Sequence, residues 1–467
     1  MRSCLAWFAR ASALFLVGFV ACSEPVQTPV DAGYMPHLLV VTLDTTRADR
    51  LGCYGYDKPT SPNLDRLALE STQFDLAIAQ AAVTPVSHAS IFTGLNPHHH
   101  GLRVLHGRTQ NRLDEPQRTL AEVWHDAGGI SAAFVSAFTV LPIFGLDQGF
   151  DHFDGEFPER SGENRVSPDG VVNTGRSQRG SDETTQAVLD WMKKEADPSK
   201  PLFLWVHYFD PHDLILTPPD SYLDQFKSKS AKKQDVLRAK YDAEIRFMDH
   251  QLGRLLESLR KNGFWEKMIV VVVADHGQGL GDHGWWNHGI LFQEQIRVPL
   301  LIRVPGMGQG TRVPSLVRTI DIMPTVLEAA GVDPSLWPAM DGSTLSGAMR
   351  TGRTAEPREA YADSLNILSY GRPDDHRKQD HNSDKLYCLM TDRYKLIYHQ
   401  LFPEKTQFFD IQEDPRESKN LAHRGLPEMR AMMARLDALD AYSNFKLGDE
   451  PTDLERAERL KQLGYGE

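Results

Sequence analysis

The run Met268-Ile-Val-Val-Val-Val-Ala274 ends on Asp275-His276-Gly277 and opens a glycine-rich loop that reaches Gly289. An unbroken apolar stretch has no polar face, so it predicts a strand buried on both sides, as in a parallel sheet covered by helices. Such a strand carries whatever follows it to the carboxyl edge of the sheet, where open α/β folds build their sites. Leu38-Leu-Val-Val-Thr-Leu43 repeats the pattern and delivers Asp44. Between the two lies Ala82–Gly94 (AVTPVSHASIFTG), read as a loop carrying Thr84 and then a short helix, capped by Ser87, through Phe92.

The remaining chain supports the same fold class. Ser61-Pro62 starts a helix with a cap and a proline at its first position. Thr119 opens another with a capping pattern. Ile130–Ser136, Pro201–Tyr208 and Ile296–Val304 are further strands. From Lys233 to Lys261 apolar residues recur at helical spacing, including Tyr241, Ile245, Met248 and Leu252, which predicts a long helix with a core-facing stripe. Beyond residue 350 the character changes. Lys385–His399 reads as a hairpin turning at Thr391-Asp392, and a helix is expected from Leu426 to Leu439. The expectation is an α/β domain over 37–350, with a central mostly parallel sheet flanked by helices, and an α+β subdomain with an antiparallel sheet over 351–467.

The amino terminus has its own signature. Arg2 and Arg10 precede the apolar stretch Ala11–Ala21, which is short for a membrane span and suited to a signal peptide. Ala21-Cys22 resembles a bacterial lipoprotein cleavage site. Residues 1–22 therefore read as a signal and 23–36 as a proline-containing linker. The expected location is the bacterial periplasm or the outer membrane, with the membrane involved only through lipidation at Cys22. A net charge of −12 argues against nucleic acid as a partner. Cys53 and Cys388 are too few for a disulfide scaffold and read as isolated buried thiols.

Asp44, Asp275 and His276, at the ends of two strands, could hold one divalent ion, with Thr84 beside them. Two carboxylates and an imidazole admit Mg or Ca and shift the balance toward Mn or Zn. The competing reading has Asp44 capping a turn and His276 donating to a backbone carbonyl. Arg47 is the cationic candidate near the first carboxylate, against a salt bridge that ties its loop to the body of the protein.

Three stretches, Leu43–Ala68 (LDTTRADRLGCYGYDKPTSPNLDRLA), Thr84–Gly101 (TPVSHASIFTGLNPHHHG) and Ala274–Gly284 (ADHGQGLGDHG), resemble the sulfatase family of the alkaline-phosphatase-like superfamily. The resemblance spans roughly residues 36–440 and implies that fold, one divalent metal and an anionic small-molecule or glycan ester as substrate. It matches Asp44 and Asp275 to metal-binding aspartates and His276 to a position holding Asn or His; Thr45 stands where a second aspartate is common. Counting back from Thr93-Gly94 puts Thr84 at the nucleophile, Val86 at the motif proline, Ser87 at its serine and His88 at its arginine. Threonine cannot be converted to formylglycine, so none is expected, and Thr84 would itself serve as nucleophile and metal neighbour. By the same resemblance His212 is a substrate-side histidine and His288 stands where many members carry a sulfate-touching lysine. The Gly-Lys-Trp-His segment of the family is absent. Three functions follow as expectations: a metal-dependent sulfate-ester hydrolase, a threonine-nucleophile phosphoester or phosphodiester hydrolase or phospho-group transferase, and a catalytically inactive glycan-binding relative.

Overall fold

The computed structural model describes residues 35–103, 112–157, 165–166, 172–173, 178–212, 216–230, 232–365, 384–439 and 441. The expected signal peptide, and the linker as far as residue 34, lie outside them. In chain order the strands are β1 (His37–Leu43), β2 (Thr72–Ile78), β3 (Ile130–Phe134), β4 (His152–Asp154), β5 (Arg165–Val166), β6 (Val172–Asn173), β7 (Leu202–Tyr208), β8 (Met268–Val273), β9 (Arg297–Arg303), β10 (Arg312–Arg318), β11 (Ala360–Ser364), β12 (Leu386–Met390), β13 (Tyr394–His399) and β14 (Gln407–Asp410).

The continuous apolar runs form the middle of an eight-stranded sheet ordered β10-β2-β9-β8-β1-β7-β3-β4. β8, β1, β7, β3 and β4 pair in parallel. β9 runs antiparallel to both β8 and β2, and β10 is parallel to β2. Every residue of β1, β7 and β8 is buried, as strands covered on both faces must be. Register places Thr42 opposite His207 on one side and Val273 on the other, so three strand ends open at one level.

The long helix Lys233–Lys261 packs its Tyr241, Ile245, Met248 and Leu252 stripe into the main core. Its buried Asp249 also reaches outward: one oxygen accepts from the amides of Asn63 and Leu64 at 3.1 and 2.9 Å. These are first-turn amides of the helix Pro62–Leu69, so a carboxylate from another helix supplies the cap expected of Ser61. The Ser61 hydroxyl instead accepts from Gly52 N and donates to Asp65.

The hairpin joins an antiparallel sheet ordered β11-β12-β13-β14, and the helix Pro427–Ala438 covers one of its faces. Its other face, with Cys388, Ile397 and Phe409, packs on Ile78, Leu291 and Leu316 of the larger unit. The Asp363 amide donates to Gln80 O at 3.0 Å, which fastens β11 to the approach to Thr84. Cys53 and Cys388 are both free. No helix among the described residues is long and apolar enough to cross a membrane.

Candidate active site

Asp44 follows β1 directly, and its amide donates to Tyr208 O at the end of neighbouring β7. The chain then turns through Thr45 at φ 51°. A β-branched residue in this left-handed region costs on the order of 1–3 kcal/mol, so the surroundings must hold it there. Tyr241 does so from the long helix: its hydroxyl donates to Thr45 O at 2.7 Å and accepts from Arg47 N at 2.9 Å. The turn aims the Thr45 amide at Asp275 Oδ1, 3.1 Å away. The same oxygen takes the His276 amide at 2.7 Å.

Gly277 is a glycine because nothing larger fits. A Cβ there would sit 2.1 Å from Glu294 O. His276 consequently lies close to the sheet edge, and its Nδ1 donates to Gly277 O at 3.0 Å. In the neutral ring this leaves the lone pair on Nε2, which faces Thr84 Oγ1 at 3.2 Å and Asp275 Oδ2 at 3.3 Å.

Thr84 opens the helix Thr84–Thr93, every residue of which is buried. The helix starts at Thr84 itself, so Ser87 lies inside it and is not its cap; the Ser87 hydroxyl donates to Asp275 O at 2.6 Å. Thr84 Oγ1 lies 3.4 Å from Asp44 Oδ2. One ligand atom each from Asp44, Asp275 and His276 fall within 4.8 Å of one another, all three residues fully buried.

The donor inventory says what this gathering suits. Asp44 Oδ1 and Asp275 Oδ2 are buried without a hydrogen-bond partner. Burial raises Asp44 well above the ordinary carboxylate range, and burial with the repulsion of Asp44 pushes Asp275 up to about 7. His276 is lowered by burial to about 4, which keeps it neutral. Converging carboxylates and an imidazole lone pair make a site that a divalent cation fits and that packing alone leaves unsatisfied.

Other histidines ring this cluster. His88 Nδ1 donates to Thr84 O at 2.8 Å and lies 3.7 Å from Asp275 Oδ2, while its Nε2 is buried without a hydrogen-bond partner. His288 Nδ1 donates to Ala82 O at 2.8 Å, and its ring centroid lies 4.4 Å from that of His276. His212 Nε2 is 3.1 Å from His288 Nε2, and burial first, then the neighbouring imidazoles, lowers both histidines. The structure therefore brings Asp44, Thr84, His88, His212, Asp275, His276 and His288 to one place.

Arg47 is not among them. Its guanidinium is committed to Asp49 at 2.6 Å, Asp282 at 2.8 Å and the carbonyls of Gln278 and Gly279, which ties the two loops together. His100 points to Ser90 Oγ, His99 pairs with Asp341, and His98 packs on Tyr361.

Sequence reasoning missed His207. It accepts the Ser136 amide on Nδ1 at 3.3 Å, which puts its proton on Nε2, 3.2 Å from Asp44 Oδ2. A histidine inside the apolar strand LFLWVHY was the available signal, because a buried imidazole needs a partner.

Known proteins resemble this chain in sequence and in fold. The family model described as Sulfatase matches residues 36–332, and one described as N-sulphoglucosamine sulphohydrolase, C-terminal, matches residues 281–440. An arylsulfatase of Clostridium perfringens is 27% identical over 455 residues, covering 83% of this chain and 90% of that relative. An ulvan-active sulfatase of Formosa agariphila is 25% identical, covering 92% and 86%. Among solved structures, BT4656 in complex with its substrate D-glucosamine-2-N,6-O-disulfate superimposes with a TM-score of 0.70 at 20% identity, covering 90% of this chain and 100% of that one. A phosphonate monoester hydrolase of Agrobacterium radiobacter does so with a TM-score of 0.68 at 20% identity, covering 87% and 95%.

Proposed function

The chain belongs to the sulfatase family, and from that premise we propose that it is a divalent-metal-dependent hydrolase of a sulfate ester carried by a glycan, with Thr84 as nucleophile. The observation that carries this reading is the position of Thr84 Oγ1, within 3.4 Å of Asp44 Oδ2 and 3.2 Å of His276 Nε2 at the head of a buried helix. The glycan part rests on relatives such as the ulvan-active sulfatase. Export and anchoring through Cys22, and a boundary near residue 350, belong to the same proposal.

Asp44, Asp275 and His276 would hold the cation. Bound there, it would neutralise oxygens of the transferring group and favour an ionised hydroxyl beside it. The chain's own residues then divide the work. His207 Nε2–H donates to Asp44 Oδ2 and fixes that carboxylate. Asp44 Oδ2, 3.4 Å from Thr84 Oγ1, is the atom placed to accept the Thr84 proton, since the one lone pair of His276 would be given to the cation. Thr84 Oγ1 forms the bond to sulfur as the sulfur–oxygen bond to the sugar breaks. The proton taken from Thr84 can pass on to the departing oxygen, which His212 and His288, with Nε2 atoms 3.1 Å apart, are placed to hydrogen-bond. Water then cleaves the threonine sulfate and restores the hydroxyl. His88, donating to Thr84 O, supports the turn that presents the nucleophile.

A second reading has its own support. A plain threonine hydroxyl lacks the aldehyde hydrate of the formylglycine enzymes, and hydroxyl nucleophiles serve phosphoryl transfer directly. A matched set of aryl sulfate, phosphate monoester and phosphate diester, each run with T84A as control, decides between them. Hydrolysis of the sulfate with a sulfated Thr84 peptide by mass spectrometry upholds the first reading. Phosphoester turnover with a phosphorylated Thr84 upholds the second. Reversible binding of sulfated glycan, with neither adduct nor turnover, would mark an inactive binder and overturn both.

A further inference from the structure

A cleft of about 450 Å³ lies where the loop after β1 and the glycine loop meet residues Pro415-Arg416 of the smaller sheet's unit. Five arginines line it: Arg47, Arg50, Arg238, Arg297 and Arg416. Much of that charge is answered. Arg47 is paired with Asp49 and Asp282, Arg50 with Asp242 at 3.3 Å, and Arg238 with Asp282 at 3.5 Å. Glu294 is paired with His283 at 2.9 Å.

Two guanidiniums remain. Arg297, at the start of β9, donates Nε to Asp75 O at 3.0 Å and has no carboxylate within ion-pair distance among the described residues, Asp49 acting on it only from farther off. Arg416 is exposed and has no ion pair among the described residues. They stand on different elements, one on the central sheet and one on the loop after β14, and both line the same cleft. The chain as a whole carries a net charge of −12, so this local positive excess runs against the bulk. Guanidinium forks on separate walls suit an oxyanion taken by charge-assisted, two-point hydrogen bonds.

We propose that this cleft is a second anion-binding site, separate from the buried metal cluster, that takes a sulfate or phosphate group through Arg297 and Arg416. The volume accommodates a sugar-sized anion. Asp44, Thr84, Asp275, His276 and His288 do not line the cleft. The site therefore stands whether or not Thr84 cleaves an ester.

The test uses the full chain carrying Thr84→Ala, so that no ligand is consumed. It is titrated with inorganic sulfate, inorganic phosphate and a sulfated dextran oligosaccharide, with uncharged dextran as control. Three backgrounds are compared: no further change, Arg297→Ala with Arg416→Ala, and Arg350→Ala with Arg353→Ala. The last pair removes the same charge from exposed positions outside the cleft, and circular dichroism checks that each variant is folded. The expected result is saturable binding that weakens by about tenfold or more in the cleft pair and holds in the control pair. Restoring lysine at both cleft positions should recover part of it. Binding of the free ions would identify a small-anion site, and binding of sulfated dextran alone a subsite for a charged chain. Absence of binding by any anion, equal affinity in the cleft pair, or equal loss in the control pair would overturn the proposal.

Discussion

Two sets of buried carboxylates in this protein face opposite situations. Asp242 and Asp249, on the long helix, have their charge answered from within the fold. Asp242 receives Tyr56 Oη and Lys58 Nζ, each at 2.7 Å, and lies beside Arg50 at 3.3 Å. Asp249 receives two backbone amides and the Asn63 side chain. Asp44 and Asp275, at the sheet edge, each keep an oxygen that no donor reaches, and they repel one another. Burial is equal; satisfaction is not. A carboxylate buried for stability brings its partners with it, whereas one buried for function keeps an oxygen for a ligand from outside.

The largest effect that would sharpen this contrast is on turnover. T84A should lower kcat by about a thousandfold or more on the preferred ester with little change in melting temperature. A loss of less than tenfold would remove Thr84 from the chemistry. Next comes stability. Asp242→Asn should cost on the order of 2 kcal/mol, because it takes the counter-charge from partly buried Arg50 and exposed Lys58, without changing kcat of the protein that remains folded. Asp44→Asn, compared in metal-free protein by urea denaturation, should be neutral within about 0.5 kcal/mol or stabilising, since burial already disfavours the charged form of Asp44 and the amide removes its repulsion with Asp275. If the two variants destabilise alike, the distinction between the sets fails.

Adding the cognate divalent ion at about a hundredfold over its Kd should stabilise the protein by about 2.7 kcal/mol, a melting shift of roughly 3 °C for a chain this size. Asp275→Ala should abolish that shift. The smallest effect concerns His283. Burial lowers its pKa, but the Glu294 pair and the Glu417 carbonyl outweigh burial and raise it. A histidine whose folded pKa is raised contributes fully below about pH 6.5 and loses that contribution as pH rises through the folded value. His283→Gln should therefore lower the melting temperature at pH 5.5, by an amount equivalent to under about 1 kcal/mol, and the gap to the parent should close toward pH 9. A gap that widens with pH would contradict the assignment.

What could be read beforehand follows from range along the chain. Apolar runs and helical spacing are local, so the buried strands, the helix Lys233–Lys261 and the hairpin turning at Thr391-Asp392 were legible. So was the metal cluster, because Asp44 and Asp275 each follow an apolar strand, whereas the helix that Thr84 opens was expected to start at Ser87. Contacts between distant residues were not. Asp249 capping a helix nearly two hundred residues earlier leaves no local mark. Ser61 and Ser87 look like caps by spacing, yet each hydroxyl has another partner. Tyr241 falls on the apolar stripe, and only the fold shows its hydroxyl holding Thr45 in place. Arg47 sits three residues after Asp44, and only the positions of Asp49 and Asp282 show where its charge goes.

Whether the partnerless oxygens of Asp44 and Asp275 are the two halves of a cation site is decided by counting metal in the intact protein. Elemental analysis after loading with Ca, Mg, Mn and Zn in turn, followed by dialysis, should find one tightly held ion per chain in the parent and essentially none in Asp275→Ala. A parent that retains no ion, or an Asp275→Ala variant that retains as much as the parent, would contradict it.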